Sequence, residues 1–373
     1  MELKFISPDY DERQVYVQTT YLNRTYLSAL YQLMGMYPNG FVNELDFQKY
    51  SDIGHEEYLL SAGKSNYHRS SHNGRDSSSR QSFLIHQVNQ TKDYLLHLDD
   101  SNCERFHLVH DLVKSSPEYK QIASYYIEHY GQPRLTKLLG LASVSPKELA
   151  KICGYIQWAR YDNLETTFKP SDEDQRYCLA VGDSKLYYNS YGLEELWKLS
   201  SYEFLSTLIE FTAIVRGQVP FSKAPFFSKY FRVHFHQNLP KKEAPKFPKF
   251  IHYAAHAETL GVFLEGLGIR RVTRVPPGGA LFIEFVKRQG QVYVRFYLYG
   301  DVDNYQSEPH LIKELRLPGT KNGELISGKD FVSYLKGRLA SEGHLPEYLD
   351  IECKNLNFSL EHELEAKRRL LDP

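Results

Sequence analysis

Apolar and polar positions alternate over Val15–Thr20 (VYVQTT), with β-branched residues recurring at period two, which predicts a strand. Helical spacing follows over Asn23–Met36 through Leu27, Leu30, Leu33 and Met34, and stops before the turn signal Pro38-Asn39-Gly40. The chain thus runs from a strand straight into a helix. Further helices are predicted over Phe106–Leu141, Ser145–Trp158 and Leu193–Arg216, the last apolar along one face. Ser145-Pro146-Lys147-Glu148 opens the second of these, with Ser as cap and Pro in the first turn. The last third returns to strands. Phe231–His236 alternates, and Phe250–Ala255 is a short apolar run entering a helix over Leu260–Leu267 closed by Gly268. Leu281–Val286 and Gln291–Leu298 flank Lys287-Arg288-Gln289-Gly290 as a hairpin. The polar, Ser-rich stretch 54–81 and the Pro- and Lys-rich Leu239–Lys249 read as surface loops. Strands at both ends with helices between them predict an α/β fold, a single sheet completed late around a helical insertion.

Composition narrows the partners. The 373 residues suffice for two domains or one α/β domain with an insertion. With 42% hydrophobic residues and 14% aromatic ones, the chain can offset its ordering entropy, which excludes a disordered protein. Balanced charge, 45 Lys+Arg against 46 Asp+Glu, gives no field to attract nucleic acid or an anionic membrane. No apolar run approaches the roughly 18–20 residues of a transmembrane helix. Met1–Tyr10 has no secretory pattern.

Several chemistries lack a signature. No Walker-type or dinucleotide Gly-rich loop is present, so no cofactor is expected. His234 and His236 share a strand face, but with no third ligand in the pattern no metal is expected either. Lys241, Lys242, Lys246 and Lys249 read as a solvated loop, with attraction of a phosphorylated ligand as the functional alternative. Cys103, Cys153, Cys178 and Cys353 have no zinc-finger or CxxC spacing, which leaves buried thiols or long-range bridges.

The chemistry-bearing residues stand at two strand-to-helix junctions, where ligands of open α/β sheets meet helix N-termini. Arg24 opens the first helix and is suited to bidentate phosphate contact. His256 and Glu258 follow the strand Phe250–Ala255. Each also has a purely structural reading: a surface ion pair, a packed histidine, and a first-turn carboxylate favoured by the helix dipole.

Five segments in order resemble the histidine acid phosphatases. QVYVQTTYLNRTYLSALYQLMGMYPNG resembles that family's VYxRSTDxDRTxxSAxxxLxGLYP, and FIHYAAHAETLGVFLEGLG resembles its xxxYSAHDTTxxxLLxALG. DYLLHLDDSNCERF is similar to DxLLxxxxxNCPRF, ALFIEFVKRQGQVYVRFYLYG to the late hairpin, and LRLPG to the loop after it. The resemblance implies a phosphoglycerate-mutase-like three-layer α/β sandwich with a helical cap. Residues 1–100 and 221–373 would build the core and 101–220 the cap. It implies hydrolysis of phosphomonoesters through a phosphohistidine. Cations bind the phosphoryl oxygens, an imidazole attacks, and an acid protonates the leaving oxygen.

Residue by residue, the resemblance makes Arg24 the DRT arginine and His256 the HD histidine, both contacting phosphate. Ala257 occupies the acidic position and Glu258 stands one place later, a HAE variant also used by inositol-polyphosphate phosphatases of the superfamily. Gln18, Tyr21 and Asn23 replace one Arg and two Asp of RSTDxDRT. In the family a strand carrying RHGxRxP precedes this segment. Here none of the fifteen His is followed by Gly and Arg, so the first strand and its nucleophile are expected to be missing or substituted. Glu2–Ile6 or another polypeptide would take the strand's place. The resemblance also pairs Cys103 with Cys353, a loop of about 250 residues worth up to about 5 kcal/mol, and leaves Cys178 a free thiol.

The function expected is a catalytically inactive, accessory or structural subunit of a larger assembly, with a partner completing or covering the sheet near Val15 and a possible residual phosphate ligand. The alternative is an active acid or inositol-phosphate phosphatase whose nucleophilic His comes from another chain or a missing segment. A bridge beside an absent secretory pattern points to a mitochondrial assembly, in the intermembrane space or membrane-associated, or to a secretory lumen.

Overall fold

A computed structural model describes residues 5–37, 83–99, 101–161, 169–223, 247–269, 275, 278–300, 312–318, 325–339 and 348–356. The expected turn at Pro38-Asn39-Gly40, the stretch 54–81, the strand Phe231–His236 with His234 and His236, and Lys241, Lys242 and Lys246 lie outside them. In chain order the elements are β1 (Val15–Thr19), α1 (Asn23–Met36), β2 (His86–Gln87), α2 (Glu104–Ser115), α3 (Pro117–Tyr126), α4 (Thr136–Leu139), α5 (Pro146–Tyr161), α6 (Asp172–Leu186) and α7 (Glu194–Val215). They continue with β3 (Phe250–Ala254), α8 (Ala257–Gly266), β4 (Ala280–Arg288), β5 (Gln291–Tyr299), β6 (Ile312–Leu315), β7 (Ile326–Ser327), α9 (Gly328–Arg338) and α10 (Tyr348–Glu352). The chain divides into two compact units, Met1–Leu96 with Tyr230–Ala255, and His97–Lys229 with His256–Pro373.

The first unit is built on a parallel sheet in the order β2-β1-β3. β1 is buried along its whole length, as a central strand of β-branched residues should be. Its register sets Val15 opposite Phe250 and Thr19 opposite Ala254 on one side, and Gln18 opposite His86 on the other. Thr25, Ala29 and Leu33, four residues apart, form the buried stripe of α1. Ala29 and Leu33 pack with Val15 and Val17 in a core that Tyr37 and Ala254 complete. Among the described residues β3 therefore flanks β1 along Val15–Thr19, and β2 flanks it only at Gln18 and Thr19. Among the described residues β2 and β3 are the outer strands, and Phe250–Tyr253 of β3 are only half-buried. Phe5 and Ile6 lie in no strand, and Glu2–Lys4 are outside the described residues.

The second unit is mainly helical. The expected single helix over Phe106–Leu141 is broken twice. Ser116 is extended (φ −64°, ψ 147°) because it precedes Pro117, and its Oγ caps α3 by accepting from the Tyr119 N–H (3.2 Å). Further on, the coil widens to π-type over Ile127–Leu135 around Pro133, whose missing N–H and ring rule out a regular α-turn. α6 is a helix the periodicity did not predict. It starts at a capping box in which Ser171 and Asp174 exchange bonds. Arg134 grips the Asp174 carboxylate through Nε and Nη2, both at 2.7 Å, and holds it far below the usual carboxylate range. α7 is buried on every side, with Leu199–Thr212 all inaccessible, and not along one face as expected. The reason is its position: α2, α8, α9 and α10 all pack on it.

The unit's sheet is antiparallel, β4-β5-β6, with β7 also on β5. Its hairpin is tighter than expected: both strands run on to Arg288 and Gln291, and Gln289 (φ 49°) and Gly290 (φ 79°) alone make the turn. Among the described residues no pairing joins the two sheets, where a single one was expected. Cys103 is bonded to Cys353 and Cys153 to Cys178, so Cys178 is not a free thiol: α5 and α6 pack side by side and bring the two sulfurs together.

Candidate functional site

Arg24 lies in the first turn of α1, exposed to solvent. The turn is organised by side chains of its neighbours. Thr25 Oγ1 donates to the Leu22 carbonyl (2.7 Å) and shares a hydrogen bond with Thr20 Oγ1 (2.9 Å). No side chain caps the helix, whose first N–H groups face its N-terminal end. Gln18 is 2% exposed and accepts from the Tyr16 hydroxyl (2.8 Å), while its Nε2 has no hydrogen-bond partner among the described residues. Tyr16 stacks on His86 at 4.8 Å, and the register sets Tyr253 opposite Gln18. Burial pushes the Tyr16 and Tyr253 hydroxyls well up, so both stay neutral. A charged side chain at buried position 18 would lose hydration that the neutral amide gives up at lower cost.

His256 is 8% exposed and is the N-cap residue of α8. Its backbone N–H donates to Thr259 Oγ1 (3.4 Å). Ala257 and Glu258 follow in the first turn, both half-buried. The helix starts three residues before the predicted Leu260 because this cap, and not the apolar run, defines its end. Its other end is gripped by α9: Arg338 donates to the Glu265 and Gly266 carbonyls (2.6 and 3.0 Å), and the Tyr334 hydroxyl donates to the Leu267 carbonyl (2.7 Å). Against α7, Phe263 stacks on Phe204 and Gly266 faces Ser201 so closely that a Cβ would come within 2.7 Å of it. The His97 ring meets the His256 ring edge to face, centroids 4.9 Å apart. His97 Nδ1 lies 3.3 Å from Asp99 Oδ2.

The model of the histidine phosphatase superfamily (branch 2) matches residues 3–299, well over half of the chain and including both junctions. The chain belongs to that superfamily. No curated protein matches it. Membership accounts for the mixed α/β architecture with its large helical portion.

Of the residues singled out in this histidine phosphatase chain, Arg24 falls in the first unit and His256 and Glu258 in the second. Cys103 and Cys353 are bonded, and beside them Arg105 joins α2 to α7 and α10 through Glu195 and Glu352. Lys249 donates its backbone N–H to the Gln14 carbonyl (2.9 Å) at the start of β3. No group of three or more His, Cys, Asp or Glu suited to a metal occurs among the described residues. Sequence reasoning missed His97 and Asp99. They sit inside DYLLHLDDSNCERF at positions the family pattern leaves unspecified, so only the ring contact of His97 with His256, and the nearness of Asp99 to His97, mark them.

Proposed function

We propose that this chain is a histidine-phosphatase-fold protein that does not turn over phosphomonoesters and serves as a structural or accessory subunit of a larger protein assembly. The observation that carries this reading is substitution inside the family's own motifs: Gln18, Tyr21 and Asn23 for Arg, Asp and Asp, and Ala257 at the acidic place. Gln18 is turned inward as a partner of Tyr16. No histidine of the 373 residues stands in an RHG context, and without a phosphoryl acceptor the two-step reaction has no first step. In this reading residues 101–220 act as a cap over a core formed by the chain's two ends. The partner would complete or cover the sheet near Val15, where β2, paired only with Gln18 and Thr19, does not reach. Two disulfides favour an oxidising compartment, a secretory lumen or the mitochondrial intermembrane space.

The retention of Arg24, His256 and Glu258 favours a second reading, an active acid or inositol-phosphate phosphatase whose nucleophilic His is supplied by another chain. The test is a phosphomonoesterase assay of the purified chain at acidic pH, with p-nitrophenyl phosphate and inositol hexakisphosphate, against His256→Ala. Rates equal to those of His256→Ala are expected. Turnover by the chain alone that His256→Ala abolishes would overturn the proposal, and turnover that needs an added partner would select the second reading.

A further inference from the structure

The sequence holds three Asn-X-Thr/Ser triplets, the acceptor pattern for an N-linked sugar: Asn23-Arg24-Thr25, Asn89-Gln90-Thr91 and Asn357-Phe358-Ser359. The last of them lies outside the described residues. The other two differ in their surroundings. Asn23 is half-buried in the first turn of α1, and Thr25 is buried, with its hydroxyl bonded to the Leu22 carbonyl and to Thr20 Oγ1. Asn89 and Thr91 are both exposed, in the turn that follows β2. The Thr91 N–H and hydroxyl donate to Asn89 Oδ1 (3.0 and 2.9 Å). Both bonds use the amide oxygen, and the nitrogen Nδ2, the atom that would carry a sugar, takes part in neither. A glycan is bulky and hydrated, so it fits an asparagine on a surface turn far better than one set into a helix start.

We propose that Asn89 carries an N-linked glycan, and that the chain therefore resides in the secretory lumen or beyond it. The cysteines agree with this. Cys103–Cys353 and Cys153–Cys178 are both bonded, which suits an oxidising compartment but does not separate the secretory lumen from the mitochondrial intermembrane space. A glycosylated asparagine does separate them, because the sugar donor and its transferase belong to the secretory membranes. In the transfer, Asn89 Nδ2 bonds to C1 of an oligosaccharide carried on a lipid pyrophosphate. The C1–O bond to the pyrophosphate breaks, the amide proton leaves with the lipid pyrophosphate, and nothing is oxidised or reduced. Because β2 runs parallel to β1 and pairs with Gln18 and Thr19, the glycan stands at the Thr19 end of β1. There it hinders pairing of another chain with the outer strand β2 and leaves the Val15 end to the partner proposed above. The assignment rests on the oxidising compartment of that reading and not on the loss of turnover.

The probe is peptide-N-glycosidase acting in heavy-oxygen water on the full chain purified from the organism that makes it. The enzyme converts a glycosylated asparagine to an isotope-labelled aspartate, which mass spectrometry locates. Label is expected at position 89 and not at position 23. No label at position 89 in protein whose cysteines resist alkylation overturns the proposal and leaves the oxidising compartment standing, whereas no label together with alkylated cysteines overturns both. As a second measurement, the full chain is secreted from eukaryotic cells behind a cleavable leader, and its gel mobility is compared before and after the glycosidase. Asn89→Gln and Thr91→Ala are each expected to lose one glycan, and Thr91→Ser to keep it, because the acceptor pattern requires the hydroxyl. Transfer to the chain precedes folding, so these losses do not depend on the stability of the variants. Unchanged mobility of Asn89→Gln and Thr91→Ala would overturn the proposal.

Discussion

The two strand-to-helix junctions of this protein follow the same plan and have kept different things. After β1 the chain enters an uncapped helix with an exposed Arg24, while the buried position behind it, Gln18, is neutral and bonded to Tyr16. After β3 it enters a helix whose N-cap is a buried histidine, set edge to face against the ring of His97. The first junction is fixed by ordinary core packing of α1 on β1. The second is held by close contacts of α8 with α7 and by hydrogen bonds from α9, near a turn that a disulfide fixes. The lesson is that retained motif letters are not equivalent: Arg24 stands where solvent screens it, whereas His256 is buried in a place built to hold it.

The contrast breaks most visibly if the second junction is unpinned. Replacing Cys103 and Cys353 by Ser is expected to cost about 3–5 kcal/mol, because the bond closes a loop with a sequence separation of 250. Urea denaturation measures it, and a loss below about 1 kcal/mol would show that the His97 turn does not depend on the bridge. Restoring the family's arginine tests the first junction. Gln18→Arg puts a charge on a buried face lined by Tyr16 and Tyr253 and is expected to cost about 3 kcal/mol. Unchanged stability in the same assay would mean that this face opens to solvent.

The last test concerns pH. Burial holds the His252 imidazole, on β3 in the first unit, down to about 4 from its ordinary 6.5. Its folded value lies below the unfolded one, so its contribution is fully present above about pH 6.5 and is lost as pH falls through 6.5 towards 4, up to about 3 kcal/mol in all. Stability compared at the two ends of that window should fall less in His252→Leu than in the wild type. Equal falls would place the acid-sensitive group elsewhere.

Much of the fold was legible along the chain where one local rule governed. Period-two alternation marked β1 and the β4–β5 hairpin, and α1 was plain from its spacing, although of the predicted positions Leu27, Leu30, Leu33 and Met34 only Leu33 is fully buried, in a stripe with Thr25 and Ala29. Local rules failed where tertiary neighbours decided. α7 shows polar residues such as Ser200, Ser201 and Glu203 that pattern reading assigns to solvent, yet helices on all sides bury them. α6 was missed because its apolar periodicity is weak, although the Ser171–Asp174 box that starts it was there to be read.

The candidate site divides the same way. Family, α/β class and the identities of Arg24, His256 and Glu258 follow from the sequence, because they reside in ordered motifs whose spacing survives without knowledge of contacts. The pairing of Cys153 with Cys178, the side of the sheet left to β3, and the meeting of His97 with His256 were decided by tertiary structure alone. The physical reason is range. Periodicity and capping act over a few residues, whereas His97 and His256 are far apart along the chain and are brought together by tertiary packing.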